Sequence, residues 1–263
     1  MKKIAIVCGN VSTYHVPIYR KIEKEKKLDL TVLYGSDEAT RPYFNKELNH
    51  TLHYKNLLGG YKHIFLKNYF ENDLRRGFFS RINFGIFKHL IFNKYDYVLI
   101  FGYDTATSWF AFLACILSRK KLLWRGEAID FRKKKILYSL IKRIILKNYF
   151  RFFNTIFFSC EKNMNYLLKY TDISKLSFFP SAVDNKNIRD KINSFKDKKK
   201  DILSQYSLNK NHFKIIFAGR FTKRKNIFDL LRIMNEIKND DIQLILVGNG
   251  PEFDNIKRYC KKK

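Results

Sequence analysis

Short apolar runs recur along the first two thirds of the chain: Ile4–Cys8, Leu30–Tyr34, Tyr97–Phe101, Lys121–Trp124, Thr155–Ser159 and Leu176–Phe179. They are rich in Val, Ile, Leu and Phe and do not alternate with polar residues. That is the pattern of strands buried on both faces of a parallel sheet. Between them lie stretches with helical spacing of apolar positions: Val16–Lys26, Phe84–Phe92, Thr105–Ser118, Lys134–Lys147 and Lys162–Lys169. Alternating strands and helices predict a doubly wound α/β domain over residues 1–185. Residues 186–212 carry no long apolar run and include Lys198-Lys199-Lys200, so they read as a linker with some helical character. The strand–helix rhythm then resumes over residues 213–263. Phe213–Ala218 and Gln243–Val247 read as strands, and Ile227–Lys238 and Glu252–Tyr259 as helices. Two strands cannot close a doubly wound sheet, so this second domain is expected to be incomplete.

Composition narrows the classes. A chain of 263 residues is long enough to bury a sizeable core without a disulfide or metal staple. With 46% hydrophobic and 16% aromatic residues it is not a disordered basic tail. Lys and Arg number 52 against 24 Asp and Glu, so the net charge is 52 − 24 = +28. Such a field attracts phosphate on a nucleic acid, an anionic membrane or a nucleotide. An overall bias towards Lys, Asn, Ile, Phe and Tyr accounts for the charge equally well, so charge alone selects no partner. The cysteines, Cys8, Cys115, Cys160 and Cys260, form no CxxC pair, and neither a disulfide framework nor a structural zinc is expected. This fits a reducing cytoplasm. The run at Ile4–Cys8 is too short for a signal peptide, and Ser108–Ser118 falls well short of the roughly 18 apolar residues that span a bilayer.

Candidate chemistry concentrates where strands meet loops. The strand Phe213–Ala218 runs into Gly219-Arg220-Phe221-Thr222-Lys223-Arg224-Lys225-Asn226, after which a helix begins. Ligands of open α/β sheets bind beyond the carboxyl ends of strands. Arg220, Lys225 and a helix N-terminus there make either a diphosphate site or a solvated basic loop. The next strand ends in Gly248-Asn249-Gly250-Pro251-Glu252, a strand–turn–helix joint without the third glycine of a dinucleotide fingerprint.

Taken together, Gly219-Arg220-Phe221 with Lys225, and Val247-Gly248-Asn249-Gly250-Pro251-Glu252 further on, resemble the family 4 glycosyltransferases. Further segments agree in order: Tyr14-His15-Val16-Pro17-Ile18-Tyr19-Arg20, Leu57-Leu58-Gly59-Gly60-Tyr61 with Phe65-Leu66, Gly102-Tyr103-Asp104, Trp124-Arg125-Gly126-Glu127, and Phe179-Pro180-Ser181-Ala182-Val183-Asp184-Asn185. The resemblance implies a GT-B architecture, two facing Rossmann-like domains with parallel sheets. It implies retaining transfer of a sugar from a nucleotide-sugar donor, which is a substrate and not a cofactor, to a cell-envelope glycan or lipid-linked acceptor. By the same resemblance Gly219, Arg220, Lys225, Gly248 and Gly250 bind the donor, with Arg220 and Lys225 on its diphosphate. Gly9, Asn10, His15, Asp104, Arg125 and Glu127 line the acceptor side, and Glu127 is the acceptor-side catalytic candidate.

This chain departs from the family pattern at several places. Asn226 stands where many members have Gly. Asn10 replaces the second Gly of a Gly-Gly loop. Arg125 stands where many members carry His. Glu127 reads alternatively as a loop carboxylate paired with Arg125 or a helix cap, and His15 as a helix-start hydrogen-bonding group. The family's later paired-glutamate motif does not occur before Lys263, so a C-terminally truncated, weakly active chain is expected. The rivals to that are a non-catalytic, acceptor-binding remnant and, behind it, a basic nucleic-acid-binding protein. No DxD motif occurs, so no metal is expected, and the charge on the leaving diphosphate falls to Arg220, Lys225 and helix dipoles.

A separate signal is Arg132–Lys147. Ile136, Leu137, Leu140, Ile141, Ile144 and Ile145 share one helical face, amid Arg132, Lys133, Lys134, Lys135, Lys142, Arg143 and Lys147. The expected reading is a core-packing helix with a solvated basic rim. The other is a basic amphipathic helix in peripheral contact with the inner, anionic face of a membrane. Nucleic acid is not an expected partner, because the basic residues are dispersed and no recognised motif for it appears.

Overall fold

The computed structural model describes residues 1–45, 50–52, 56–69, 77–130, 136–237 and 239–261. The expected helical residues Arg132, Lys133, Lys134, Lys135 and Lys238 lie outside the described set. By packing, the chain divides into two units, Met1–Arg41 with His53–Val183, and Pro42–Leu52 with Asp184–Lys263.

Seven parallel strands form the sheet of the first unit. In chain order the elements are β1 (Lys2–Cys8), α1 (Val16–Glu25), β2 (Leu28–Tyr34), the short β3 (Tyr43–Asn45) and β4 (His50–Leu52), β5 (Lys62–Phe65), α2 (Gly85–Phe92), β6 (Tyr97–Phe101), α3 (Ala106–Leu117), β7 (Lys121–Arg125), α4 (Ile136–Arg151), β8 (Thr155–Phe158), α5 (Glu161–Leu167) and β9 (Leu176–Phe178). The sheet order is β5-β2-β1-β6-β7-β8-β9, while β3 and β4 pair as an antiparallel hairpin in the second unit. The apolar runs produce this sheet because each strand feeds both faces. Ala5 and Val7 of β1 enter a core with Ile86, Leu90, Ala111 and Trp124. Ile6 and Cys8 enter the opposite core with Val16, Tyr19, Leu30 and Tyr34. Small residues on α3, Ala111, Ala114 and Cys115, are fully buried, so that helix lies close against the sheet. β5, with Lys62 and His63 in a short edge strand, has no apolar run to announce it.

In the second unit α6 (Asn185–Ser194) and α7 (Lys199–Gln205) occupy much of the stretch read as a linker. β10 (Phe213–Ala218) and β11 (Ile242–Val247) pair in parallel along their whole length, flanked by α8 (Ile227–Glu236) and α9 (Phe253–Lys261). The core is small, built on Phe221, Ile227, Leu231 and Ile256, and Ile216 and Val247 of the strands remain exposed.

One expectation is overturned. The apolar face of α4 is not a core face: Ile136, Leu137, Leu140, Ile141, Ile144 and Ile145 are between 47% and 80% exposed. Among the described residues of α4 the buried ones are Leu146, Tyr149 and Phe150, in its last turns. The spacing gave the amphipathic helix correctly. Which side turned inwards was set by the aromatic residues at its end, which meet Trp109, Phe112 and Trp124.

Candidate functional site

The strand order reverses at β1. The chain moves from β1 out to β2 and β5, then returns to place β6 on the other side of β1. The carboxyl ends of β1 and β6 therefore flank a topological switch point, where open α/β sheets bind ligands. The loop after β1 carries Gly9, Asn10 and His15, and a side chain at Gly9 would meet nothing within 4 Å. His15 starts α1 with no side-chain cap bond, contrary to the helix-start alternative, and its ring lies 4.7 Å from that of Phe101 at the end of β6. The motif around it is braced from behind. Arg20 Nε donates to the Gly59 carbonyl at 2.8 Å, and Tyr61 and Tyr34 share a hydroxyl hydrogen bond of 2.9 Å.

Arg125, the last residue of β7, is almost fully buried. Its guanidinium sits 4.8 Å from the centroid of Phe179 and 5.9 Å from that of Phe101. Nη2 donates to the Phe179 carbonyl at 3.2 Å and to Ser181 Oγ at 3.3 Å. Nη1 lies 3.8 Å from Glu127 Oε1, which in turn accepts from Ser181 Oγ at 3.0 Å. Glu127 is thus a loop carboxylate paired with Arg125 and Ser181 and not a helix cap, yet its side chain stays 63% exposed towards the mouth. Burial lowers the affinity of Arg125 for its proton, and Glu127 opposes that. Burial, reinforced by the Arg125 charge and opposed by Glu127, holds His15 below its ordinary value of 6.5, so the imidazole is neutral at pH 7. His15, Arg125 and Glu127 therefore form one electrostatic cluster, in which Ser181 bridges Arg125 and Glu127.

Two expected acceptor-side residues stand apart from it. Asn10 is held by Arg81, whose Nη2 donates to Asn10 Oδ1 at 2.9 Å and lies 3.5 Å from Glu38 Oε2. Asp104 folds back over its own turn: Gly102 has φ +71°, and a Cβ there would come within 2.5 Å of Asp104 Oδ1. Among the described residues Asp104 bonds to none of His15, Arg125 and Glu127.

Sequence reasoning missed Arg81, Glu38, Ser181 and Asn83. Asn83 is fully buried, and its Nδ2 points at the carbonyls of Gly35, Leu66 and Lys67 at 3.0, 3.1 and 2.9 Å. Thr107 Oγ1 lies 2.7 Å from Asn83 Oδ1 and 2.9 Å from the Arg81 carbonyl. This knot fixes the loops that present Arg81. The one available signal was a polar residue between Ile82 and Phe84 at the head of an apolar helix.

In the second unit, the loops after β10 and β11 are zipped together. Phe221 N donates to the Asn249 carbonyl at 2.9 Å, and Glu252 N to the Phe221 carbonyl at 3.0 Å. A Cβ at Gly248 would come within 1.9 Å of the Gly219 carbonyl oxygen, and one at Gly250 within 2.5 Å of the Phe221 carbonyl oxygen. The glycines are thus required by loop-to-loop contact. Gly219 itself is not crowded, its Cβ meeting only the Phe217 ring at 3.4 Å. Arg220 follows β10 directly. Lys225 precedes Asn226, whose left-handed φ of 49° turns the chain into α8, and Asn226 Nδ2 bonds Asp229 in the first turn. Arg220 and Lys225 are both exposed at the carboxyl end of the sheet, beside the start of α8.

A doubly wound unit followed by a second, smaller parallel α/β unit defines a GT-B-like protein. Residues 198–263 match the family Glycosyl transferases group 1, in line with the resemblance read from Gly219-Arg220-Phe221, Lys225 and Val247–Glu252. The fold is similar to the crystal structure of Anabaena Alr3699/HepE in complex with UDP, at 14% identity and TM-score 0.65, covering 100% of this chain and 65% of that one. It is equally similar to a glycosyltransferase from Rickettsia africae ESF-5, at 16% identity and TM-score 0.65, covering 99% and 64%. UDP-GlcNAc 2-epimerase from Neisseria meningitidis bound to UDP-GlcNAc follows, at 15% identity and TM-score 0.54, covering 94% and 65%. The chain thus spans about two thirds of the length of these structures, and an epimerase among them shows that the fold does not fix the reaction. No curated protein matches the sequence.

Proposed function

We propose that the chain is a glycosyltransferase that moves a sugar from a nucleotide-sugar donor to a hydroxyl of a cell-envelope glycan or lipid-linked acceptor. The observation that carries this reading is the family match over residues 198–263, the segment that holds Arg220, Lys225 and both zipped loops. The similar Anabaena protein was crystallised in complex with UDP, which favours a nucleoside diphosphate donor. In this reading Arg220, Lys225 and the amino end of α8 meet the charge that grows on the departing diphosphate, with no metal required. The bond from the anomeric carbon to the diphosphate oxygen breaks. The acceptor oxygen bonds the same carbon from the same face, retaining its configuration, and the acceptor proton passes to the leaving diphosphate. Glu127 and neutral His15 are the acceptor-side groups of this reading.

Calorimetric titration of the full chain with UDP, GDP and ADP tests the donor site. At least one nucleoside diphosphate is expected to bind, and Arg220→Ala to weaken it about 10- to 100-fold, the effect of a lost charge-assisted hydrogen bond. Failure of all three to bind, or binding indifferent to Arg220→Ala, overturns the assignment.

A further inference from the structure

We infer that the first half of α4 and the basic groove beside it form a docking surface for an anionic lipid bilayer. The inference is independent of the transfer reading and rests on the overturned expectation for this helix. Residues 136–145 include six large aliphatic side chains, each about half exposed or more, and the buried residues of the helix, Leu146, Tyr149 and Phe150, lie beyond them. An exposed aliphatic cluster of this size on an otherwise highly charged surface marks an interaction site.

Charge decides the kind of partner. Arg143, Lys147 and Arg151 follow at four-residue spacing and so form one ridge along α4, on the flank of the aliphatic stripe. Among the described residues no carboxylate pairs with any of the three. They form one wall of an open groove of about 560 Å³, completed by Lys169, Tyr170, Asp172 and Lys175. Lys169 is paired with Asp130, Lys175 donates to the Arg151 carbonyl at 2.7 Å, and Asp172 accepts from Ser174 N at 2.8 Å. Among the described lining residues the one carboxylate, Asp172, is committed to a turn, so the groove keeps a positive balance. Aliphatic side chains beside a ridge of cations match the two layers of an anionic membrane surface, acyl chains below and phosphates at the rim. A second copy would bring the same cations, and the same +28, against themselves. A nucleic acid would leave the isoleucines and leucines in water. No helix among the described residues is long and apolar enough to cross a membrane, and this surface needs none.

Flotation of the full chain with vesicles of phosphatidylcholine, alone or mixed with phosphatidylglycerol, tests the inference. The chain is expected to float with the anionic vesicles only. Ile141→Glu/Ile144→Glu is expected to abolish flotation, and Arg143→Ala/Lys147→Ala/Arg151→Ala to reduce the partition coefficient about a hundredfold, from about 1 kcal/mol per surface cation. All these positions are exposed, and an unshifted tryptophan emission, from Trp109 and buried Trp124 together, verifies that each variant is folded. Absence of flotation, or flotation indifferent to both variants, overturns the inference. So does self-association without lipid that the isoleucine variant removes, which assigns the face to a second copy. Oligonucleotide binding in place of vesicle binding, lost in the triple variant, overturns it in favour of nucleic acid.

Discussion

Replacing Asn83 by Asp changes one atom group and should cost more than deleting the side chain. The amide nitrogen faces three backbone carbonyls at 2.9–3.1 Å in a fully buried position. Asn83→Ala removes that donor and leaves one or two acceptors without a partner, for a loss of about 3 kcal/mol. Asn83→Asp keeps the shape but turns a carboxylate oxygen towards the same three oxygens, and an uncompensated buried charge raises the loss to about 4–5 kcal/mol. The sign of the pH effect follows. Burial among acceptors raises the folded pKa of the new carboxyl above its unfolded value of about 3.9, so the destabilisation is full above the folded pKa and is relieved as pH falls through it. Both tryptophans, Trp109 and Trp124, lie in the first unit, so urea unfolding followed by tryptophan fluorescence reads that unit alone. Asn83→Asp no less stable than Asn83→Ala at pH 8, or a gap that does not narrow at pH 5, would refute the polar-knot account.

Gly248→Ala is expected to break the zipped loops and abolish nucleoside diphosphate binding, because its Cβ would lie 1.9 Å from the Gly219 oxygen; calorimetry and an unchanged tryptophan transition check both halves. Of the four free cysteines, buried Cys8 and Cys115 have thiols pushed up to about 12 by burial. A thiol-specific chromogenic reagent should therefore titrate only Cys160 and Cys260 in the folded protein, and all four in urea. His15 has its proton affinity lowered on folding, so its contribution to stability is present above pH 6.5 and is lost as pH falls below that through the folded value. His15→Gln should flatten the decline in urea midpoint between pH 6.5 and 5, with a residual slope from His89, which burial and Lys88 lower likewise.

Elements whose burial is a property of their own residues were legible. Tyr97–Phe101 and Phe213–Ala218 were bounded correctly because an unbroken apolar run has one comfortable place, inside a covered sheet. β5 escaped notice because an edge strand of four residues with Lys62 and His63 needs only one apolar face. For α4 the periodicity was plain, but what covers a face is decided by distant parts of the chain, here by the aromatic cluster around Tyr149 and Phe150. The candidate site divided the same way. Arg125 and Glu127 sat at a strand end and were visible from the motif. Their partner Ser181 lies 54 residues from Glu127, and the Arg81–Asn10 bond spans 71, and no local pattern encodes such pairings.

The two Arg–Glu pairs at the mouth of the first unit have a further consequence. Arg125 with Glu127, and Arg81 with Glu38, cancel charge for charge, and His15 beside them is neutral. In a protein of net charge +28 these groups at the switch point add nothing to the field. The loop of the second unit carries Arg220, Lys223, Arg224 and Lys225 within six residues. Ionic strength therefore discriminates between the two mouths: a ligand of uncharged hydroxyls at the first is held without a salt penalty, whereas an anion at the second is attracted over a Debye length of about 8–10 Å and released as salt shortens it.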